Sequence, residues 1–166
     1  MTNNDILRNL RYTFNLGDTK MIDIFAAAGL KTDRTEISNW LKSDEDESFV
    51  KITDEEFATF LNGFINKRRG KKDGPQPVAE TTLNNNIIFR KLKIALNLKS
   101  DDILDLLDMA DFRLSSHELS AFFRKDGHKH YRECKDQILR NFLQGLKLKH
   151  RPAPKTESET EPKPEA

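Results

Sequence analysis

The sequence predicts an all-α protein: a tandem duplication of a small four-helix domain, its two copies joined by a Gly/Pro linker and followed by a disordered C-terminal tail. Three observations predict it. The stretch Asn85 to Leu98 repeats Asn3 to Leu16, with Ile6, Leu7, Leu10 and Phe14 returning as Ile88, Phe89, Leu92 and Leu96. A shift of 82 positions carries residues 3–69 onto 85–151 without a gap. Within each copy the apolar residues recur at three- and four-residue intervals, the period of helices buried on one side.

Each element follows from local signals. Asn3 or Asn4 is expected to cap a first helix running to about Asn15, where Asn15-Leu16-Gly17 tolerates a left-handed C-cap. Asp18 can cap a second helix carrying Met21, Ile22, Ile24, Phe25 and Ala28, closed by Gly29. Asp33 with Glu36 has capping-box spacing and opens a third helix, which buries Ile37, Trp40 and Leu41. After the acidic connection Asp44-Glu45-Asp46-Glu47, Thr53 with Glu56 opens a fourth, with Phe57, Phe60, Leu61 and Phe64 inward. Gly70 to Asn84 reads as linker, since Gly70, Gly74, Pro75 and Pro77 stop the helix and no apolar period replaces it. In the second copy Arg90, Lys91 and Lys93 fall off the apolar face of the first helix, and Ser100 caps the second, with Ile103, Leu104, Leu106 and Leu107. Ser115 with Glu118 opens the third, burying Leu119, Phe122 and Phe123, and the last carries Ile138, Leu139, Phe142, Leu143 and Leu146. The expected units are thus 1–69 and 85–151, the linker 70–84, and a Pro/Glu/Lys/Thr tail, 152–166, disordered by composition.

Composition bounds the class. Charged residues are 33% and aromatics 8% of the 166 residues, a globular balance. No apolar run approaches the ~20 residues of a membrane span, and the N-terminus lacks the basic and apolar regions of a signal peptide. One cysteine, Cys134, leaves no internal disulfide and fits a reducing cytoplasm. Units this short bury only about 60% of their unfolded surface and are marginal alone, so the copies are expected to pack on each other. Their charges differ: residues 3–69 carry 10 basic and 12 acidic side chains, residues 85–151 carry 14 and 9.

Several constellations bear on chemistry. The second-to-third helix unit has the outline of a helix-turn-helix, but Asp111 stands where the first copy has Gly29, and no Arg, Asn or Gln run opens the third helix. Plain helical packing is the default reading. His130 and Cys134 are four apart and would share a face of a helix, where they could supply two metal positions or a thiol and its base. The counterpart of Cys134 is the apolar Ile52, which favours a small buried thiol. No second cysteine completes a zinc set, and no cofactor is expected. The basic series Lys67-Arg68-Arg69-Gly70-Lys71-Lys72, echoed by Lys147, Lys149, His150 and Arg151, suits helix C-termini as well as phosphate. Glycine-rich phosphate loops, serine elbows and paired catalytic carboxylates are absent from the sequence.

On Phe60-Leu61-Asn62-Gly63 with Lys67-Arg68-Arg69-Gly70, Asn84-Asn85-Asn86-Ile87, Asp101-Asp102-Ile103-Leu104, and His128 to Cys134 with Asp136-Gln137 and Phe142-Leu143, the chain resembles the bacterial YehS-like family. The resemblance covers nearly the whole chain to about Arg151. It implies a tandem all-helical cytoplasmic protein of unknown function, brings no catalytic residue or cofactor with it, and marks His128 to Arg140 as the most distinctive polar stretch.

The functional expectation is an interaction or regulatory module rather than an enzyme. Lys129, Tyr131, Arg132 and Arg140, with His128 and His130, are its candidate binding residues, and a protein partner or a second copy of the chain is the expected ligand. Nucleic acid bound by the basic second copy is the alternative, and a metal or thiol enzyme using His130 and Cys134 a further one. The acidic loop at Asp44 to Glu47 aligns with the basic Asp126-Gly127-His128-Lys129, so the two loops either complement each other or leave the second free for an anionic partner. Limited proteolysis is expected to cut first in 70–84 or after Pro152. Early cleavage inside Asn85–Leu98 would contradict the domain organisation.

Overall fold

The computed structural model describes residues 1–151; the expected tail, 152–166, lies outside the described residues. These form eight helices and no strand: α1 (Asn3–Thr13), α2 (Asp18–Ala27), α3 (Arg34–Leu41), α4 (Asp54–Arg69), α5 (Asn85–Ala95), α6 (Ser100–Met109), α7 (Ser116–Ala121) and α8 (Asp136–His150). Every helix of the second copy starts 82 positions after its counterpart.

The helix starts show where local chemistry decides. Asp33 with Glu36, Thr53 with Glu56 and Ser115 with Glu118 all form reciprocal capping boxes. Other expected caps are displaced by one or two residues. Thr2, not Asn3 or Asn4, caps α1: its hydroxyl accepts from Asp5 N at 3.1 Å, and the Asp5 carboxylate accepts from Thr2 N at 2.9 Å. Asn84 is its counterpart at α5. Gly17 and Lys99 precede α2 and α6, so Asp18 and Ser100 are first-turn residues. Asn15 and Asn97 both turn with φ of 53°, and Asp111 keeps the left-handed turn of Gly29 at φ 59°, as a short polar side chain allows.

Freed from capping, Asn4 does something larger. It is fully buried, and its amide donates to Trp40 O at 2.8 Å and Val50 O at 3.0 Å while accepting from Ile52 N at 3.2 Å. Asn86 repeats all three bonds one copy on, to Phe122 O, Arg132 O and Cys134 N, at 3.0, 2.8 and 2.9 Å. One side chain thus ties the first helix of each copy to the end of the third and to the loop entering the fourth.

The two cores reach similar packing by different routes. In copy 1, Phe25 of α2 lies 5.1 Å from the ring of Trp40 and 5.2 Å from that of Phe60. In copy 2 the position of Phe25 is Leu107, and the ring comes from the other side. Phe89, where copy 1 has Leu7, sits 6.4 Å from Phe122 and 4.7 Å from Phe142. A Leu–Phe pair has exchanged places across the core, conserving volume.

The copies pack on each other, as two units of this size require. α4 lies on α5 and α8 lies on α1, so the fourth helix of each copy packs on the first helix of the other. Lys91, expected off the buried face, is buried in the first seam; its ammonium donates to Asn62 Oδ1 at 2.6 Å and pairs with Glu80 Oε1 at 3.1 Å. In the second seam the Met1 amino group pairs with Asp136 at 3.1 Å, and Arg151 donates to Tyr12 O at 3.2 Å. Part of the basic series is spent on aromatic rings: the Arg151 guanidinium crosses the seam to cover the Tyr12 ring at 4.6 Å, and within copy 1 that of Arg68 lies over Phe14 at 5.3 Å.

Within each copy the second and fourth helices approach so closely that only glycine fits. A Cβ on Gly63 would stand 1.8 Å from Ile24 O, and one on Gly145 would stand 2.1 Å from Leu106 O. Gly145→Ala is therefore expected to destabilise the protein by about 1–3 kcal/mol through overpacking. Asn86→Ala, which orphans two buried carbonyls and an N–H, should cost at least as much. Thermal denaturation checks both, and an unchanged melting temperature in either variant would contradict the geometry.

Candidate functional site

The connection from α7 to α8 is where the copies differ most in chemistry, and the buried Asn86 is what gives it shape. Asn86 pins Arg132 O and Cys134 N, and Arg132 N donates to Ala121 O at 3.1 Å, so the loop is sewn to the end of α7. Further turns stack within it: His128 N donates to Lys125 O and Tyr131 N to His128 O, each at 2.9 Å. His130 N donates to the Nδ1 of His128 at 3.0 Å.

The result is a pocket of about 180 Å³ between α7 and the loop. Lys129, His130, Tyr131 and Arg132 line it from the loop, and His117, Glu118, Ser120 and Arg124 from α7 and its end. Arg124 Nε is buried without a hydrogen-bond partner, a donor that costs free energy unless something accepts from it. Among the described residues no carboxylate lies within ion-pair distance of Arg124, Lys129 or Arg132. The one acid in the wall, Glu118, is held below the usual carboxylate range first by the Ser115 backbone N–H and then by the Ser115 hydroxyl, with smaller contributions from the charges of Arg132 and His117. Burial, followed by the carboxylates of Asp126 and Glu133, raises the Tyr131 phenol, keeping it a neutral hydroxyl donor.

Four of the six residues singled out in the sequence therefore meet in one place: Lys129, His130, Tyr131 and Arg132. His128 sits behind His130, their rings 5.5 Å apart. Arg140 does not join them; it lies on α8 beside Asp5, Arg8 and Lys147, in the groove between α1 and α8. Arg124 and His117 are additions, 5 to 15 positions from the loop residues they meet. The sequence carries no signal for them, because only the folded chain shows that Asn86 ties the loop back to the end of α7.

The same positions in copy 1 carry other chemistry. Glu47, Ser48 and Val50 stand for Lys129, His130 and Arg132, and Thr35 for His117. Part of the acidic loop is met internally, with Asp44 pairing with Arg8 at 3.3 Å. Among the described residues Lys129, the cation of the aligned loop, has no such partner.

The pairing of His130 and Cys134 on one helical face is overturned. Residues 131–135 are not helical, and α8 begins only at Asp136. His130 is exposed, whereas Cys134 is buried and its backbone is fixed by Asn86. Burial, with Asp136 nearby, pushes the Cys134 thiol up to about 12. Among the described residues no three His, Cys, Asp or Glu side chains gather where they could hold a metal ion.

Comparison with known proteins places this geometry. A family described as a protein of unknown function (DUF1456) matches the chain twice, at residues 3–70 and 85–151. "Uncharacterized protein YehS" of Escherichia coli (strain K12) is 41% identical over 147 residues, covering 88% of this chain and 94% of that protein. No solved structure matches the chain significantly.

A buried thiolate-poor cysteine should react slowly. Alkylation of native Cys134 is expected to stay far slower than that of a free thiol from pH 7 to 9, because the folded thiol ionises only near pH 12. Fast modification at neutral pH that falls on replacing His130 would restore the thiol–base reading.

Proposed function

This chain belongs to the DUF1456 family, and we propose that it is a non-enzymatic interaction module which binds an acidic segment of another protein through the pocket between α7 and the α7–α8 loop. The observation that carries the proposal is the cluster of cations without ion-pair partners among the described residues, Arg124, Lys129 and Arg132, around a buried guanidinium nitrogen that lacks an acceptor. Carboxylates from a partner would supply that acceptor and the missing charge, and arginine holds such groups in well-defined geometry. The hydroxyl of Tyr131 and the imidazoles of His117 and His130 add polar contacts at the rim.

Protein is favoured over nucleic acid by scale and composition. The pocket is compact, Tyr131 is its only ring beyond the imidazoles, and single-strand binding needs a run of stacking platforms. Nucleic acid remains the second reading because of one different feature, the α1–α8 groove, where Arg8, Arg140 and Lys147 lie together. A reducing cytoplasm suits a chain whose single cysteine is buried, and among the described residues no helix is long and apolar enough to cross a membrane.

Capture from a bacterial lysate, with and without nuclease, tests the proposal alongside a salt titration against mixed-sequence RNA and DNA. The expected result is a nuclease-resistant protein partner, lost in Lys129→Glu/Arg132→Glu and in Arg124→Gln, with little nucleic-acid binding. Tight nucleic-acid binding that falls steeply with salt and disappears in Arg140→Glu/Lys147→Glu would replace the protein reading. A partner retained by all these variants would remove the pocket from it.

A further inference from the structure

The seam between α4 and α5 contains a cleft of about 540 Å³, roofed by the connection that follows α4. Ile65 of α4 and Ile87 and Ile94 of α5 form its walls, and Pro75 and Pro77 form part of the roof. At one side lies the buried Lys91, hydrogen-bonded to Asn62 of α4 and ion-paired with Glu80 of the connection, whose buried Oε1 lacks a well-aligned hydrogen bond.

The corresponding seam of the repeat shows that the fold does not require this arrangement. In the α1–α8 groove the equivalents of Ile87, Ile94 and Ile65 are Asp5, Tyr12 and Lys147, and the equivalent of Lys91 is Asn9. At these four positions the α1–α8 seam carries charged and polar residues, and the α4–α5 seam carries three isoleucines and a buried ammonium. Burying an ammonium is unfavourable unless a partner compensates it, and the second seam packs without one. The partner that Lys91 has is a carboxylate on a surface connection, reaching in through the roof.

We propose that this cleft binds a small apolar carboxylic acid, whose carboxylate takes the place of Glu80 against Lys91 while its hydrocarbon part lies among Ile65, Ile87 and Ile94. The Glu80 carboxylate is the chain's own stand-in for the ligand's head group. Arg69 and Arg90 at the margin give the cleft a cationic approach. The volume falls within the roughly 300–1,000 Å³ of small-molecule sites. None of these residues lines the α7–α8 pocket, so the two proposals stand or fall separately.

Octanoate is the probe, titrated into the full chain by calorimetry and by methyl NMR of the isoleucines, with octanol as the uncharged control. Saturable octanoate binding that shifts Ile87 and Ile94 is expected, with octanol about tenfold weaker or more. Lys91→Met should weaken octanoate about tenfold, and Glu80→Gln, which removes the competing carboxylate, should tighten it several-fold. Absent saturation, equal binding of octanol and octanoate, or an affinity unchanged by Glu80→Gln would each overturn the proposal. Should Lys91→Met fail to fold, the Glu80→Gln affinity and the location of the shifts decide it.

Discussion

A buried carboxamide, present once in each copy, is the constraint on which the rest depends. Asn4 and Asn86 each satisfy two carbonyls and one N–H that would otherwise be stranded in the core. Stranding any of them would cost about 1–3 kcal/mol, while each bond made contributes a smaller net gain of about 0.5–1.5 kcal/mol. The value of the arrangement is therefore specificity: it admits one position of the loop relative to the first and third helices. The pocket's wall can carry cations because its backbone, that of Arg132 included, is held from behind by the Asn86 carboxamide.

Duplication then separates what the fold needs from what it tolerates. The features that recur at 82 positions are structural: the asparagine, the close-contact glycines Gly63 and Gly145, the left-handed turns, and the rings at 60 and 142. Even the Leu–Phe exchange between positions 7 and 25 and positions 89 and 107 leaves the core filled. The features that do not recur are chemical. They are Lys129 and Arg132 of the α7–α8 loop and the lysine in the first seam, which align with Glu47, Val50 and Asn9, whereas Arg124 aligns with the cationic Lys42.

Much of this was legible in the amino-acid order. Repeat spacing and helical periodicity led to eight helices in two copies, because amphipathic faces and capping boxes are set by neighbours within four residues. Residues whose partners are distant in sequence were misread. Asn4 looked like a cap because Asn is a good one, and nothing local reveals that Thr2 fills that role. Lys91 looked like surface because lysine is rarely buried, and only the packing of one copy on the other covers it. His130 and Cys134 have helical spacing, but the three bonds of Asn86 hold the loop extended past the point where a helix would have started. The four loop residues could be grouped from sequence since they are contiguous; Arg124, on the far wall, could not.

The placement of the two seams has a consequence for how the chain acquires its structure. α4 and α5 are separated by only the linker, so their seam forms from segments already near each other. The α1–α8 seam joins groups 135 and 139 positions apart, Met1 with Asp136 and Arg151 with Tyr12. Closing a longer loop costs more entropy, by about 0.6 kcal/mol for each doubling, and non-local contacts form late. The two seams are equivalent in space but not in time: one is the hinge on which the halves meet, the other the clasp that shuts after both are built.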